Sequence, residues 1–339
     1  MEREMKKLFL AVAITALVTS SVFADGITVN VENYIRAESD TQIKTYAKAF
    51  GCFGKLVHFR NFYSVDEQKT PRVNRDTYYS FGIYDLTTPI TISKPDPGDR
   101  FQSLMLINQD HSILPTIHKG GTFKYTQKKM GTRYMIVIVR TYADANDAKD
   151  QEIAHKLQDK LTIKQSDPGK LELPDWDDVS RQKMMDAINV LAGSLPTTEG
   201  FFGEKGKIDP IKQLMGTAYG YAGNPREGAI YKNIVPEKND GKTPYKVTVK
   251  NVPVDGFWSI TMYNAKGYMV KNKYNAYSVN GKSAKKNKDG SITIHFGGNP
   301  KSINYLPTPK GWNCIIRLYQ PQKSLLNGKW DFPAFELMN

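Results

Sequence analysis

The chain has 339 residues, of which 40% are hydrophobic and 11% aromatic. This composition supplies enough apolar side chains to build cores and excludes a disordered chain, and the length favours two domains over one. The formal net charge of +13 suits an anionic small molecule or an acidic envelope polymer as partner, although scattered lysines that serve only solubility explain it as well.

The N-terminal residues have the order of a secretory signal peptide. Two lysines precede an apolar run at 8–18, and Val22 and Ala24 supply the small residues that a cleavage site needs at −3 and −1. The run is shorter than the roughly 20 residues of a membrane-spanning helix. We therefore predict a signal peptide over 1–24, cleavage near Ala24, and an exported mature chain, periplasmic or secreted, with no transmembrane segment.

The first mature segment, residues 25–144, is predicted to be a β-rich domain that begins with a helix. Asp40 suits a helix N-cap, Ile43 and Phe50 fall on one helical face, and Gly51 suits a left-handed C-cap. Runs of β-branched and aromatic residues then predict strands, with Pro, Gly and Asp turns between them. These runs cover 77–85, 101–108 and 134–141.

The period of the apolar residues changes after residue 144. Stripes that contain Leu157 and Ile188, and the Asp209-Pro210 helix start, predict a helical connector over 145–228. Strand patterns return in the last segment, 229–339. They cover 245–252, 257–263, 291–296 and 314–320.

The order of these elements predicts the fold class. Strands come in separate blocks, without the regular alternation of strand and helix that a parallel sheet requires. We therefore predict a mainly β protein with helical segments, built as two antiparallel β-sandwich (jelly-roll-like) domains joined by a helical connector.

The common catalytic and cofactor motifs are absent from the sequence. It has no G-x-S-x-G, no H-E-x-x-H, no paired C-x-x-C, no Walker A sequence, no dinucleotide fingerprint and no calcium loop. We therefore expect no cofactor, no metal site and no nucleic-acid partner.

Two arginines stand at otherwise apolar strand positions. Arg140 follows an apolar run, and Arg317 interrupts another. A buried guanidinium requires an acceptor. Either each pairs internally with an aspartate such as Asp76 or Asp110, or the guanidiniums line a pocket that receives the carboxylate or phosphate of a ligand.

Further polar residues near these strands are candidates for the same pocket. His111 follows Asp110 at a strand end and would serve as a proton acceptor. The candidate polar pocket comprises Asn74, Asp76, Tyr79, Asp110, His111, Arg140 and Arg317. The chain has two cysteines, Cys52 and Cys314, and either a disulfide between them or two separately buried thiols is consistent with the sequence.

Several stretches resemble a family of bacterial exported proteins. Asn-Arg-Asp-Thr-Tyr-Tyr-Ser at 74–80 and Asn-Gln-Asp-His at 108–111 are similar to the domain of unknown function DUF1254. Val-Pro-Val-Asp-Gly-Phe-Trp-Ser at 252–259 and the run from Gly-Trp at 311 to Leu-Tyr at 319 are similar to its companion DUF1214. The resemblance is to the shorter members of the family. It implies two β-rich domains, self-association into a homo-oligomer, and no assigned reaction.

Three functions remain open from the sequence. The first is a non-enzymatic binding protein for an anionic or carbohydrate ligand, and the second is a hydrolase-like enzyme with an Asp/His/Tyr/Arg cleft. The third is a structural or assembly protein that acts through self-association. The enzyme requires its acid and base to lie within hydrogen-bond reach of one point.

Overall fold

The computed structural model describes residues 26–68, 71–195 and 197–338. The predicted signal peptide and its cleavage site lie outside the described residues. In the described part the protein is mainly β, with its strands in four sheets. The predicted fold class is confirmed, because the sheets are open and stack in sandwich-like pairs with helical segments beside and between them.

Two sheets form the N-terminal half of the fold. One has the order β1-β2-β6-β4 and the other the order β5-β3-β7, and all their pairings are antiparallel. The elements up to β6 are α1 Tyr34–Phe50, β1 Val57–His58, β2 Thr77–Asp85, β3 Ile90–Lys94, β4 Gln102–Asn108, β5 Gly121–Tyr125, α2 Gln127–Met130 and β6 Tyr134–Tyr142.

Strand β6 is buried on both faces, which explains its continuous apolar sequence. Met135 and Val137 pack toward β3 in one cluster, whereas Ile136 and Ile138 pack toward α1 in another. A charged side chain on this strand therefore enters a buried layer whichever way it points.

The segment between the two halves contains three helices and one strand. Its elements are α3 Ala148–Asp159, β7 Thr162–Gln165, α4 Asp178–Gly193 and α5 Pro210–Tyr219. Strand β7, where the pattern indicated helix, pairs with β3 and completes the second sheet. Helix α5 begins as expected, because the carboxylate of Asp209 accepts hydrogen bonds from the backbone N–H groups of Ile211 and Lys212.

Two further sheets pack face to face in the C-terminal half. Their orders are β11-β10-β14-β8 and β13-β12-β9-β15, and only the β12–β13 pairing among them is parallel. Trp312 and Phe296 are fully buried in the core between them. The elements are β8 Ala229–Ile234, β9 Tyr245–Val249, β10 Trp258–Tyr263, β11 Ser278–Asn280, β12 Ile292–Phe296, β13 Tyr305–Leu306, β14 Asn313–Tyr319, α6 Lys323–Leu326 and β15 Glu336–Leu337.

Asp40 is not the N-cap of α1, so that prediction is wrong. The helix begins at Tyr34 after Asn33 and ends as predicted at Gly51, which has a φ of 59°. Asp40 is buried inside the helix, where its carboxylate accepts hydrogen bonds from Gln109 Nε2 at 2.7 Å and Trp176 Nε1 at 3.0 Å. Tertiary partners thus explain an acidic residue that the local pattern assigned to a cap.

Among the helices in the described ranges, none combines the length and the apolar character needed to cross a bilayer.

Candidate functional site

A row of three polar residues crosses the first sheet. Arg140 of β6 lies opposite Tyr79 of β2 and opposite Ser103 of β4. Residues directly opposite each other on neighbouring strands present their side chains on the same face of the sheet. The three side chains therefore point together to the face that also carries Phe81 and Ile138.

The second half of the chain contains a row of the same composition. Arg317 of β14 lies opposite Tyr231 of β8 and opposite Ser259 of β10. We call these sets the two Tyr-Arg-Ser rows. Each places a guanidinium between a phenol and a hydroxyl on a buried sheet face.

The segment that precedes β2 lies between the two rows and binds the second half. Asn74 Nδ2 donates to the hydroxyl of Tyr319 at 2.9 Å, and Ser259 Oγ donates to Asp76 Oδ2 at 2.5 Å. Tyr263 donates its hydroxyl hydrogen to the carbonyl oxygen of Val73 at 2.9 Å. These contacts bring the predicted residues into one layer, which we call the arginine layer. It contains Asn74, Asp76, Tyr79, Arg140 and Arg317.

Arg317 has short hydrogen bonds to neutral acceptors in this layer. Its Nη1 donates to Thr261 Oγ1 at 2.7 Å, and its Nη2 donates to the Tyr263 hydroxyl at 2.7 Å and to the carbonyl of Arg72 at 3.0 Å. Only 3% of the residue is exposed. Arg317 thus joins β10 and β14 to the segment before β2, which is a structural role.

Arg140 is held much more loosely, although it is also buried. Its Nη1 lies 3.3 Å from Asn224 Oδ1 and 3.7 Å from Met105 Sδ, and its Nη2 lies 3.4 Å from the carbonyl of Ala222. The guanidinium also lies 5.5 Å from the centroid of the Tyr79 ring. In the part of the chain that the structure describes, Arg140 forms no ion pair with a carboxylate. Its acceptors are therefore neutral and distant.

Asp76 is the carboxylate of the arginine layer, and it does not balance both guanidiniums. Burial raises its pKa, whereas the charge of Arg317 and the hydrogen bond from Ser259 act to lower it. Among the residues that the structure describes, neither its buried Oδ1 nor the buried Oγ of Ser103 has a hydrogen-bond partner. The layer therefore has an excess of positive charge and unused hydrogen-bonding capacity.

Phenol groups surround Arg140. Burial raises the pKa of Tyr46 to about 12. Burial also raises the pKa of Tyr231, while the positive charges of Arg140 and Arg317 act to lower it. The pKa of Tyr319 is raised by burial too. These phenols remain protonated near neutral pH, so the group around Arg140 consists of one cation and several O–H donors, which is suited to bind an anion.

Asp110 and His111 lie outside this layer. The carboxylate of Asp110 pairs with Arg36 of α1 and with Lys205 Nζ. Burial acts to raise its pKa, but the hydrogen bonds from these two cations outweigh burial and the pKa is lowered. Asp110 is therefore an ionised partner in a local ion pair.

Both ring nitrogens of His111 are occupied by protein groups. Nε2 accepts a hydrogen bond from the backbone N–H of Ala222 at 3.1 Å, so Nδ1 carries the proton and donates to Thr217 Oγ1 at 2.8 Å. Burial lowers the pKa of His111 to about 3. The ring is therefore neutral and has no free nitrogen to accept a proton from a substrate.

Asn224 and Tyr231 are two of the site residues that the sequence patterns did not single out. Tyr231 lies on β8, whose alternation of apolar and polar residues in Ala-Ile-Tyr-Lys-Asn-Ile was the available signal. Asn224 lies in a loop and had no such signal. Asn224 Nδ2 donates to the Tyr231 hydroxyl at 2.5 Å, while its Oδ1 faces Arg140.

An open cleft of about 600 Å³ is lined in part by this Asn224–Tyr231 pair. We call it the aromatic cleft. It is lined by Phe202, Tyr219, Asn224, Arg226, Tyr231 and Trp330, among others. Asn224 thus lines a solvent-open cleft and also contacts the buried guanidinium of Arg140.

Cys52 and Cys314 are free buried thiols, so the disulfide alternative is wrong in this structure. Cys52 packs in the cluster beneath α1, whereas Cys314 packs between the two C-terminal sheets. Burial raises the pKa of the Cys52 thiol to about 11 and raises that of Cys314 as well. Within residues 26–68, 71–195 and 197–338, no three or more His, Cys, Asp or Glu side chains come together as a metal-binding group.

Two solved structures share this fold. The VPA0106 protein from Vibrio parahaemolyticus is 19% identical, with a TM-score of 0.69, and the match covers 92% of this chain and 100% of that one. An uncharacterized protein from Burkholderia cenocepacia is 11% identical, with a TM-score of 0.51, and the match covers 91% of this chain and 87% of that one. At these identities the similarity shows the fold alone. No curated protein matches the sequence.

Two family models match the chain, each described as a protein of unknown function. The DUF1254 model matches residues 53–124, which include the first part of the arginine layer, and the DUF1214 model matches residues 232–323, which include Arg317. Arg140 lies between the two matched regions. The chain therefore contains a region that matches DUF1254 followed by a region that matches DUF1214.

Proposed function

We propose that the chain is an exported, non-enzymatic binding protein that holds the anionic group of a small ligand, a carboxylate or a phosphate, at Arg140. The observation that supports this most directly is the state of the Arg140 guanidinium. It is only 7% exposed, yet its acceptors are neutral groups at 3.3 to 3.7 Å. A desolvated charge without an ionic partner is costly, and a ligand anion would relieve that cost.

The surroundings of Arg140 support an anion over a cation or a neutral group. The phenols of Tyr46, Tyr231 and Tyr319 stay protonated, so each keeps an O–H hydrogen with which to bind an anion. Arg317 adds a second buried positive charge, whereas the one carboxylate of the layer, Asp76, is bound to Ser259. Hydrogen bonds from charged and O–H donors to an anion are stronger than bonds between neutral groups.

The hydrolase alternative has less support. It required the Asp, His, Tyr and Arg side chains of the candidate pocket to converge on one cleft, but Asp110 and His111 are engaged with other protein groups outside the arginine layer. Burial raises the pKa of Tyr46, Tyr231 and Tyr319, so these phenols do not replace Asp110 and His111 as bases. Export and self-association are part of the proposal and depend on residues 1–24 and on the family resemblance.

The proposal is tested by thermal unfolding of the purified protein in sodium acetate, sodium phosphate and sodium chloride at equal ionic strength. A ligand at a hundredfold excess over its Kd stabilises the folded state by about 2.7 kcal/mol. We expect acetate or phosphate to raise the Tm above its value in chloride. We expect Arg140→Met to abolish the rise and Arg60→Met, which alters a partly exposed arginine paired with Asp159, to retain it.

Two outcomes would overturn the proposal. One is that neither anion stabilises the wild type beyond chloride. The other is that Arg140→Met responds to the anions as the wild type does, because the binding site would then lie elsewhere.

A further inference from the structure

The rings that line the aromatic cleft are partly open to solvent. Tyr219 is 54% exposed and Tyr231 is 37% exposed, although the Tyr231 hydroxyl lies inside against Asn224. The volume of about 600 Å³ is within the range of small-molecule sites. Aromatic faces carry partial negative charge and attract C–H groups. An acyl chain and the C–H face of a sugar ring are both able to cover these rings.

Polar groups of the same cleft distinguish these two kinds of ligand. Glu199 pairs with Arg226, and Lys232 pairs with Asp331, so these ion pairs add no net charge to the cleft. Their remaining oxygens and N–H groups are solvated in the open cleft. An acyl chain would remove that water without replacing its hydrogen bonds, which is unfavourable. Sugar hydroxyls both donate and accept, and they would replace the water.

The position of Asn224 sets the orientation of a ligand in the cleft. Its Oδ1 contacts Arg140 on one side, and its Nδ2 bonds to Tyr231 on the other. Asn224 therefore belongs both to the wall of the cleft and to the surroundings of the guanidinium. A carboxylate that takes the place of Oδ1 would form a charge-assisted pair where there is now a neutral contact of 3.3 Å. The negative end of the ligand therefore points inward and its neutral body outward.

We infer that the ligand is a uronic acid sugar, whose carboxylate binds Arg140 past Asn224 and whose ring lies on the aromatic cleft. The inference rests on the proposed function, because Arg140 supplies the anion site. It adds the chemical class of the ligand and its point of entry. A uronic acid has the three required parts in one small molecule, namely a carboxylate, a ring with C–H faces and several hydroxyls.

The test is isothermal titration calorimetry of the full purified protein. The probes are glucuronate, galacturonate and mannuronate, with glucose as the neutral sugar, hexanoate as the acyl carboxylate and acetate as the minimal anion. We expect the best uronate to bind at least tenfold more tightly than glucose, hexanoate or acetate.

A pair of variants on helix α5 separates the cleft from the anion site. Tyr219 lines the cleft, whereas Ile211, which is 62% exposed, does not. We expect Tyr219→Ala to weaken the best uronate at least fivefold and to leave acetate binding unchanged. Ile211→Ala should leave the binding of both probes unchanged.

The outcomes separate the inference from the proposed function. Hexanoate that binds as tightly as the best uronate would overturn the sugar assignment while the anion site remains. Uronate binding that Tyr219→Ala does not weaken would overturn the assignment of the cleft. If neither acetate nor any uronate binds the wild type, both the proposed function and this inference are wrong.

Discussion

Replacing Asn224 by aspartate tests whether Arg140 lacks an anionic partner. The substitution keeps the size and shape of the side chain and places a carboxylate beside Arg140 Nη1, where Asn224 Oδ1 now lies at 3.3 Å. The contact with Tyr231 is retained with its direction reversed, because the phenol then donates to the carboxylate. Asn224→Asp therefore builds into the protein the anion that we propose a ligand supplies.

The expected effect follows from the burial of the two groups. A hydrogen bond to a charged group contributes a net stabilisation of roughly 1.5–3 kcal/mol, against about 1 kcal/mol for a neutral one. Desolvation of the new carboxylate offsets part of this gain. The desolvation of Arg140 has already taken place, since the residue is 7% exposed. We expect a net stabilisation of about 0.5–1 kcal/mol, or a rise in Tm of roughly 1–4 °C.

The assay is thermal unfolding of Asn224→Asp with and without acetate and phosphate, with Asn299→Asp as the control. Asn299 is exposed in a loop, so its substitution makes the same charge change at the surface. We expect Asn224→Asp to unfold at a higher temperature than the wild type and to have lost the response to both anions. A variant with an unchanged or lower Tm that still responds to the anions would refute the reasoning.

Three further predictions follow from the structure. Arg317→Met should lower the free energy of unfolding, measured in urea, by about 3–5 kcal/mol, because it leaves the partners of three short hydrogen bonds unpaired. Arg140→Met should lower it by less than half as much. The reverse order would contradict the assigned roles. Burial lowers the pKa of His111 from 6.5 to about 3, so its contribution to stability is complete above pH 6.5 and is lost as the pH falls toward 3. The free energy of unfolding should therefore be about 2 kcal/mol lower at pH 5 than at neutral pH because of His111. The measurement is the part of the pH dependence of urea unfolding that His111→Gln removes. Cys52 and Cys314 should react with a thiol reagent only after unfolding, and a reductant should leave the Tm unchanged; a mass consistent with a disulfide would contradict the structure.

The strands were predictable because their patterns are local. The run 77–85 was predicted as a strand and is β2, since its β-branched and aromatic residues suit a pleated, buried surface. Strand β7 was missed because Thr162–Gln165 owes its conformation to pairing with β3. A four-residue strand of mixed polarity has no periodic signal strong enough to distinguish it from its helical neighbours.

The candidate site was only partly predictable, for a related reason. Arg140 and Arg317 were identified because apolar neighbours in sequence indicated burial. Asp110 and His111 lie at a strand end and were predicted to share the pocket of the two arginines. In the structure Asp110 pairs instead with Arg36 of α1, and His111 bonds to Thr217 of the connector. Which acceptor meets a buried polar group depends on segments far away in the chain.

The sequence by itself determined the mainly β fold class, the resemblance to DUF1254 and DUF1214, and the burial of the two arginines, because each depends on residue patterns within short stretches. Only the tertiary structure decided that Arg317 has three hydrogen bonds of 2.7–3.0 Å while the contacts of Arg140 are 3.3–3.7 Å long. Their acceptors come from other strands and loops, as Thr261 and Asn224 do. Such partners are brought together by non-local strand pairing and by the packing of one half of the chain against the other, which no local pattern encodes.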